Sequence, residues 1–217
     1  MRIRCKPWAK PELEACDFCI NTPEKLKGKW SQEFRNGKPV YLELGCGKGG
    51  FVSQAVLRYP DVNYIAVDIK NEMLVLAKRK IETALNGNDM SADQVRIFIK
   101  NIENIGDVFA PEDNISRINI NFCNPWPKTK HKKRRLTHYR QLVKYKEFLN
   151  GELWFKTDDD DLFNESFDYF EQAGFDIKYK TYDLHNSGFE ENIITEHEEM
   201  FTKEGKNIKF LIATPHK

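Results

Sequence analysis

The run Glu43-Leu-Gly45-Cys-Gly47-Lys-Gly49-Gly50 constrains the fold more than any other stretch of the chain. Tyr41-Leu-Glu-Leu44 overlaps its start as a short apolar run closed by Gly45, and Phe51, Val52, Ala55, Val56 and Tyr59 follow at helical spacing. The first pattern reads as a buried strand, the second as a helix that Pro60 ends. Glycines between them let the backbone turn tightly and approach a ligand, and the helix start offers free N–H groups. A chain built this way opens a strand–turn–helix unit.

The alternation continues. Tyr64-Ile-Ala-Val-Asp68 reads as a second strand, and Met73, Leu74, Leu76, Ala77 and Ile81 mark a helix stopped near Asn86-Gly87. Val95-Arg-Ile-Phe-Ile99 is a third strand, and Ile118-Asn-Ile-Asn-Phe122 a fourth with strict alternation. Tyr139, Leu142, Val143 and Leu149 form a helix ending at Asn150-Gly151, before a strand at Leu153-Trp-Phe155. Leu162, Phe163, Phe167, Phe170 and Ala173 make a helix capped by Gly174, with last strands over 175–182 and 208–213. Residues 183–206 read as an acidic, polar insertion. The first 38 residues, punctuated by Pro7, Pro11, Pro23, Gly28 and Gly37, are expected to be an irregular extension. Strands alternating with helices predict an α/β fold, with a mostly parallel sheet covered on both faces. The 217 residues fit one domain, 1–217, and 15 Phe, 4 Trp and 8 Tyr supply its core.

Charged residues make up 31% of the chain and no apolar run reaches 18 residues, so no membrane span is expected. The opening Met1-Arg-Ile-Arg-Cys-Lys-Pro-Trp lacks the apolar segment of a secretory signal. Five cysteines, an odd number, argue against a disulfide framework and for a reducing, cytoplasmic compartment. Cys16 and Cys19 have the spacing of half a zinc site, which Cys5 and a fourth group would have to complete. No second C-x-x-C exists, so no metal is expected and the pair reads as two small apolar residues on one turn. The five His form no H-x-E, and no G-x-S-x-G elbow is present, which argues against a catalytic metal and an α/β-hydrolase.

Taken alone, the glycine loop leaves two ligands open. Gly45, Gly47 and Gly50 satisfy G-x-G-x-x-G for a dinucleotide, whereas Glu-x-Gly-x-Gly-x-Gly is the pattern of S-adenosylmethionine enzymes. Asp68, at the end of the second strand, can accept both hydroxyls of an adenosine ribose in either class. The segment after the fourth strand is more particular. In Asn121-Phe-Cys-Asn124-Pro-Trp-Pro-Lys128, Pro125 and Pro127 stiffen the loop around Trp126. From position 128 to 135, six of eight residues are Lys or Arg, on a chain whose net charge is only +1. Such a stripe suits a phosphate backbone; the plain alternative is a solvated charge run.

These motifs together resemble the bacterial tRNA (guanine-N7-)-methyltransferase family along almost the whole chain. The matching features are Arg2-x-Arg-x-Lys-Pro-Trp8, Glu43-x-Gly-x-Gly-x-Gly49, Asn121-Phe-x-x-Pro-Trp-Pro-Lys128 and His131-x-Lys-Arg-Arg-Leu-Thr137. Phe155-Lys-Thr-Asp158, Asp183-Leu-His185 and Thr195-Glu-His-Glu198 follow in order. The resemblance implies a class I S-adenosylmethionine-dependent, Rossmann-like fold that methylates N7 of guanine at position 46, in the variable loop of tRNA. It implies S-adenosyl-L-methionine as methyl donor, S-adenosyl-L-homocysteine as product, and tRNA as partner. No obligatory protein partner is evident, and the chain would act as a monomer or homodimer.

Carried over by position, Glu43, Gly45, Gly47, Asp68, Asn101 and Asn124 look like the cofactor set. Lys128, Asp158, Thr195, Glu196, His197 and Glu198 look like the substrate set, and Asn124 and Asp158 the catalytic pair. Lys130, His131, Lys132, Lys133, Arg134 and Arg135 would touch RNA. The family commonly has Asp where this chain has Asn124, and often where it has Asn101. Guanine N7 attacks with an unprotonated lone pair, so the chemistry needs alignment and electrostatics rather than a base. That tolerates an amide at Asn124 and moves the charge to Asp158, Glu196 or Glu198. Asp158 could instead cap the next helix, and the glutamates could form a solvated face. The rival functions are a nicotinamide-dependent dehydrogenase on the same glycine loop and a non-catalytic RNA-binding protein.

Overall fold

The computed structural model describes residues 6–216, so Arg2, Arg4 and Cys5 lie outside the described residues. The chain divides into two compact units, 1–113 and 114–217.

In the first unit, three parallel strands, β1 (Val40–Leu44), β2 (Asn63–Asp68) and β3 (Val95–Ile99), lie in the order β3-β2-β1. Leu42, Leu44, Ile65, Ala66, Val67, Ile97 and Phe98 are fully buried, as parallel strands covered on both faces require. The helices α3 (Val52–Arg58) and α4 (Asn71–Asn86) connect them and pack against each other and the sheet. Residues 6–38 are less irregular than their prolines and glycines suggest. They carry α1 (Ala9–Glu14) and α2 (Trp30–Phe34), each held by tertiary contacts rather than by its own short length. Glu12 of α1 takes a bidentate pair from Arg79 of α4 at 2.8 and 2.6 Å. Trp30 is fully buried, stacks on Phe98 at 5.5 Å and donates its indole N–H to Val108 O.

In the second unit the strands are β4 (Ile115–Asn121), β5 (Leu149–Thr157), β6 (Phe175–Thr181) and β7 (Lys209–Pro215), in the order β4-β5-β7-β6. The β4–β5 pair is parallel, and β7 runs antiparallel to both of its neighbours. On β4, Ile118, Asn119 and Ile120 are all buried, so the alternation in the sequence does not mark an exposed face. Successive side chains of β5 point to opposite faces. Phe155 meets Phe163 of α6 (Asp160–Gln172), while Trp154 joins Leu184, Ile208, Phe210 and Ile212 on the other side. The expected insertion, 183–206, is therefore the layer that covers that second face. It closes with α7 (Glu196–Lys203), whose start is a capping box between Thr195 and Glu198.

Candidate functional site

In a parallel sheet, ligands gather at the carboxyl ends of the strands. In the first unit, the residues expected to hold a cofactor stand there. Glu43 is the next-to-last residue of β1 and Asp68 the last of β2, and Asn101 lies two residues beyond β3. Gly45, Gly47 and Gly49 have φ of 80°, 55° and 77°, a left-handed region that side chains rarely adopt. The turn is tied to the acid, because Gly47 N–H donates to Asp68 Oδ2 at 3.0 Å and Lys70 N–H donates to Oδ1 at 2.9 Å. Burial raises the Asp68 carboxyl above its usual range, against those backbone N–H groups. Burial, then the nearby carboxylates of Glu43 and Asp68, push the Cys46 thiol well up. Asn101 caps a short 3-10 turn, accepting Glu103 N–H at 3.1 Å. Gly49, which the motif includes but the expected cofactor set does not, is packed more tightly than Gly47. A Cβ at Gly49 would lie 2.8 Å from both Cα and Cβ of Ala77 on α4.

In the second unit, Asn124 and Asp158 stand just past the ends of the neighbouring parallel strands β4 and β5, and Phe122 N–H donates to Lys156 O at 2.8 Å between them. The loop 122–128 is strained at two aromatic residues, Phe122 with φ 51° and Trp126 with φ 43°. Bulky side chains in that region are outliers that the surroundings must enforce. Asn124 Oδ1 accepts Trp126 N–H at 2.9 Å, a turn that leaves its amide N–H groups for other partners. The Trp126 ring is flanked by His131 at 5.7 Å and by the Arg134 guanidinium at 5.2 Å.

Asp158 does not cap α6. That role belongs to Asp159, which accepts Leu162 N–H at 2.7 Å. Asp158 is free to line a cleft of 740 Å³, where its Oδ2 lies 3.4 Å from Lys206 Nζ.

The basic stripe divides in two. Lys128, Lys130, Lys133 and Arg134 are exposed around the 3-10 turn Thr129–Arg134. Arg135, expected to touch RNA, is 1% exposed and holds the loop instead. Its Nε donates to Pro125 O at 2.6 Å and its Nη1 to Glu165 at 2.9 Å, and Lys132 pairs with the same carboxylate. A buried guanidinium cannot reach a phosphate on a partner, so Arg135 is corrected to a structural role.

Glu198 needs a second correction. Expected to contact substrate, it is fully buried as the third residue of α7. It receives Lys156 Nζ and Asn192 Nδ2, and meets His185 Nε2 at 2.7 Å. Lys156 Nζ also donates to Asn192 Oδ1 and Ile193 O at 2.9 and 2.8 Å. Thr195 is likewise buried, as the helix cap, which leaves Glu196 and His197 as the exposed members of that motif. The His197 ring stacks on Phe122 at 6.1 Å, so α7 meets the strained loop. A lysine inside a strand gives no local sign that it will be buried, and Lys156 is marked in the sequence only by its place in the Phe155-Lys-Thr-Asp158 motif.

Among the described residues, no group of three or more His, Cys, Asp or Glu is placed to hold a metal. Cys16 and Cys19 are buried, and burial pushes the Cys19 thiol up to about 12. No described helix is long and apolar enough to cross a membrane.

A family model described as "Putative methyltransferase" matches residues 37–211. A tRNA (guanine-N(7)-)-methyltransferase of Clostridium beijerinckii is 59% identical over 215 residues, covering 98% of both chains. The protein of that name from Acetivibrio thermocellus is 54% identical, over 98% of this chain and 99% of its own. Among solved structures, an antibiotic-related methyltransferase superposes with a TM-score of 0.62 at 16% identity, covering 86% of this chain and 92% of its own. The 16S rRNA methyltransferase KamB does so with 0.62 at 10%, covering 87% and 93%. These two likenesses establish the fold alone, the Rossmann-like α/β fold of class I methyltransferases. With relatives this similar over nearly its whole length, the chain belongs to the tRNA (guanine-N(7)-)-methyltransferase family.

Proposed function

We propose that this protein transfers the methyl group of S-adenosylmethionine to N7 of the guanine at position 46, in the variable loop of tRNA. The observation that carries the reading is the tie between Gly47 and Asp68, which joins the glycine turn and the acid of β2 into one cradle. The residues fit the donor. The Asp68 carboxylate has acceptor capacity beyond its backbone donors for a ribose hydroxyl, and a glycine turn with positive φ brings bare backbone to the ligand. When bound, S-adenosylmethionine supplies an electrophilic methyl carbon on a sulfonium that leaves as the neutral sulfide of S-adenosylhomocysteine.

The chain's own residues then have three tasks. Glu43, Gly45, Gly47, Asp68 and Asn101 orient the donor. Guanine N7 forms its bond to the methyl carbon with a lone pair that bears no proton, so no side chain acts as a base. The loop 122–128 and Asp158 hold the guanine in line, and positioning of this kind lowers a barrier by about 7–11 kcal/mol. Asp158 offers acceptors to the ring N–H and exocyclic amine that guanine alone presents together, and its charge favours the cationic product. Exposed Lys128, Lys130, Lys133 and Arg134 hold phosphates.

The test uses labelled donor and tRNA transcripts carrying guanine or 7-deazaguanine at position 46. Label is expected only in the first. Transfer to the 7-deaza transcript would overturn the assignment of both atom and position. In calorimetry, Asp68→Ala is expected to weaken S-adenosylhomocysteine binding by about 2–3 kcal/mol.

A further inference from the structure

An aromatic row on the second unit has no part in the site described above. His138 begins α5 (Tyr139–Phe148), where its Nδ1 accepts Arg140 N–H at 3.3 Å. Its ring lies 5.0 Å from that of Tyr139 and 4.8 Å from that of Tyr169 on α6. Tyr139 is 41% exposed, and Val143, one turn along the same helix, is 46% exposed. Arg140 is exposed beside them and enters no ion pair among the described residues. Burial and the charges of Arg140 and Arg135 lower the His138 pKa, which favours the uncharged ring.

This row is coupled to the basic turn. Tyr169 Oη lies 3.3 Å from Glu165 Oε2, the carboxylate that anchors Lys132 and Arg135. One residue thus fixes both the turn that presents Lys130, Lys133 and Arg134 and the rings that follow it. Exposed aromatic faces next to unpaired cations are the chemistry that takes unpaired nucleotides: bases stack on the rings, and phosphates meet the cations. Neither a neutral apolar partner nor a basic protein would be served by the Arg140 charge and the four exposed cations upstream of it.

We propose that His138, Tyr139 and Arg140 form a second RNA contact, which stacks an unpaired nucleotide of the tRNA and holds its adjoining phosphate. The proposal rests on the tRNA reading above. Tyr139 supplies the stacking face and Arg140 the phosphate contact. His138 positions both, as the helix cap that orders the first turn of α5.

The test measures binding of fluorescent tRNA to the full chain by anisotropy over a salt series. Tyr139→Ala is expected to weaken binding about tenfold at fixed salt with the salt slope unchanged, and Tyr139→Phe to bind as wild type. Arg140→Ala is expected to reduce the slope by about one. All three should keep the wild-type melting temperature and S-adenosylhomocysteine affinity. If both alanine variants bind as wild type while Lys133→Ala and Arg134→Ala weaken binding, this contact is overturned and the tRNA reading survives. If wild type itself shows no salt-dependent affinity for tRNA, both fall. If Tyr139→Ala leaves tRNA binding intact but changes the sedimentation coefficient, the face belongs to a second copy of the chain and the proposal is again overturned.

Discussion

Lys156 of β5 and Glu198 of α7 form an ion pair with side chains only 4% and 0% exposed, and this pair fastens the 183–206 layer to the sheet. Two charges sealed from water are tolerable only when their remaining hydrogen-bonding capacity is met. Asn192, His185 and the carbonyl of Ile193 meet it here. Such a pair can be neutral against a well-packed apolar replacement, yet removing one partner leaves a buried charge alone. Lys156→Met is expected to cost about 3–5 kcal/mol in urea unfolding. The double variant with Glu198→Leu should recover part of that loss; equal or additive losses in the double variant would contradict the pairing.

The same pair has a pH signature. Burial alone would raise the Glu198 carboxyl, but the Lys156 ammonium and hydrogen bonds from Lys156, Asn192 and His185 outweigh it and hold the group below its usual range. A carboxyl whose folded value is depressed contributes in full above its unfolded value of about 4.3, and the contribution fades as pH falls through the folded value. Urea midpoints measured from neutral pH downward should therefore be level until about pH 4.5 and then drop. Glu198→Gln, less stable throughout, should show a shallower drop.

Gly49 is expected to be less replaceable than Gly47 in the same turn. An added Cβ would meet Ala77 Cα at 2.8 Å, and the backbone has φ +77°. Left-handed strain and overpacking together put Gly49→Ala at a cost of about 2–4 kcal/mol. Gly47→Ala meets only Met73 Cε at 3.8 Å, so strain alone should cost it about 1–2 kcal/mol. Denaturant titration of the two variants decides, and equal costs would count against the α4 contact.

The two halves of the basic stripe should separate by experiment. Lys130→Ala, Lys133→Ala and Arg134→Ala are each expected to reduce the salt slope of tRNA binding by about one, with stability unchanged. Arg135→Ala should instead lower stability, because Pro125 O loses its buried donor, at a cost of about 1–3 kcal/mol. An Arg135→Ala protein that melts as wild type would return this residue to the RNA-facing set.

Asn124→Asp is expected to change single-turnover methylation by under about tenfold. An Asp could take the Trp126 N–H as the amide oxygen does, and N7 offers no proton for either to remove. Asp158→Asn should be the more damaging change, since it removes charge near the cationic base and turns one acceptor into a donor facing guanine's N–H groups. A large gain from the first, with an indifferent second, would place the electrostatics of the reaction in the 122–128 loop.

Whereas α7 read only as part of an acidic, polar insertion, the order of the strands β1 to β7 and of the helices α3 to α6 among them was legible in the sequence, because apolar periodicity and glycine or proline punctuation are local properties. So was the placing of Gly45, Gly47 and Asp68 at strand ends, since turn chemistry and strand limits fix them within a few residues. The residues that misled are those whose meaning is set by distant neighbours. Arg135 reads as one more cation until Glu165, thirty residues on, draws it inward. Glu198 reads as part of an acidic surface until Lys156 fills the space beneath it. Trp30 sits in a stretch rich in breakers, and only Phe98 and Phe109 make it core. Composition and spacing determined which elements form and where charge is concentrated. Which of those charges face solvent and which are spent on the interior was decided by tertiary packing, because desolvation and pairing depend on contacts the local sequence does not encode.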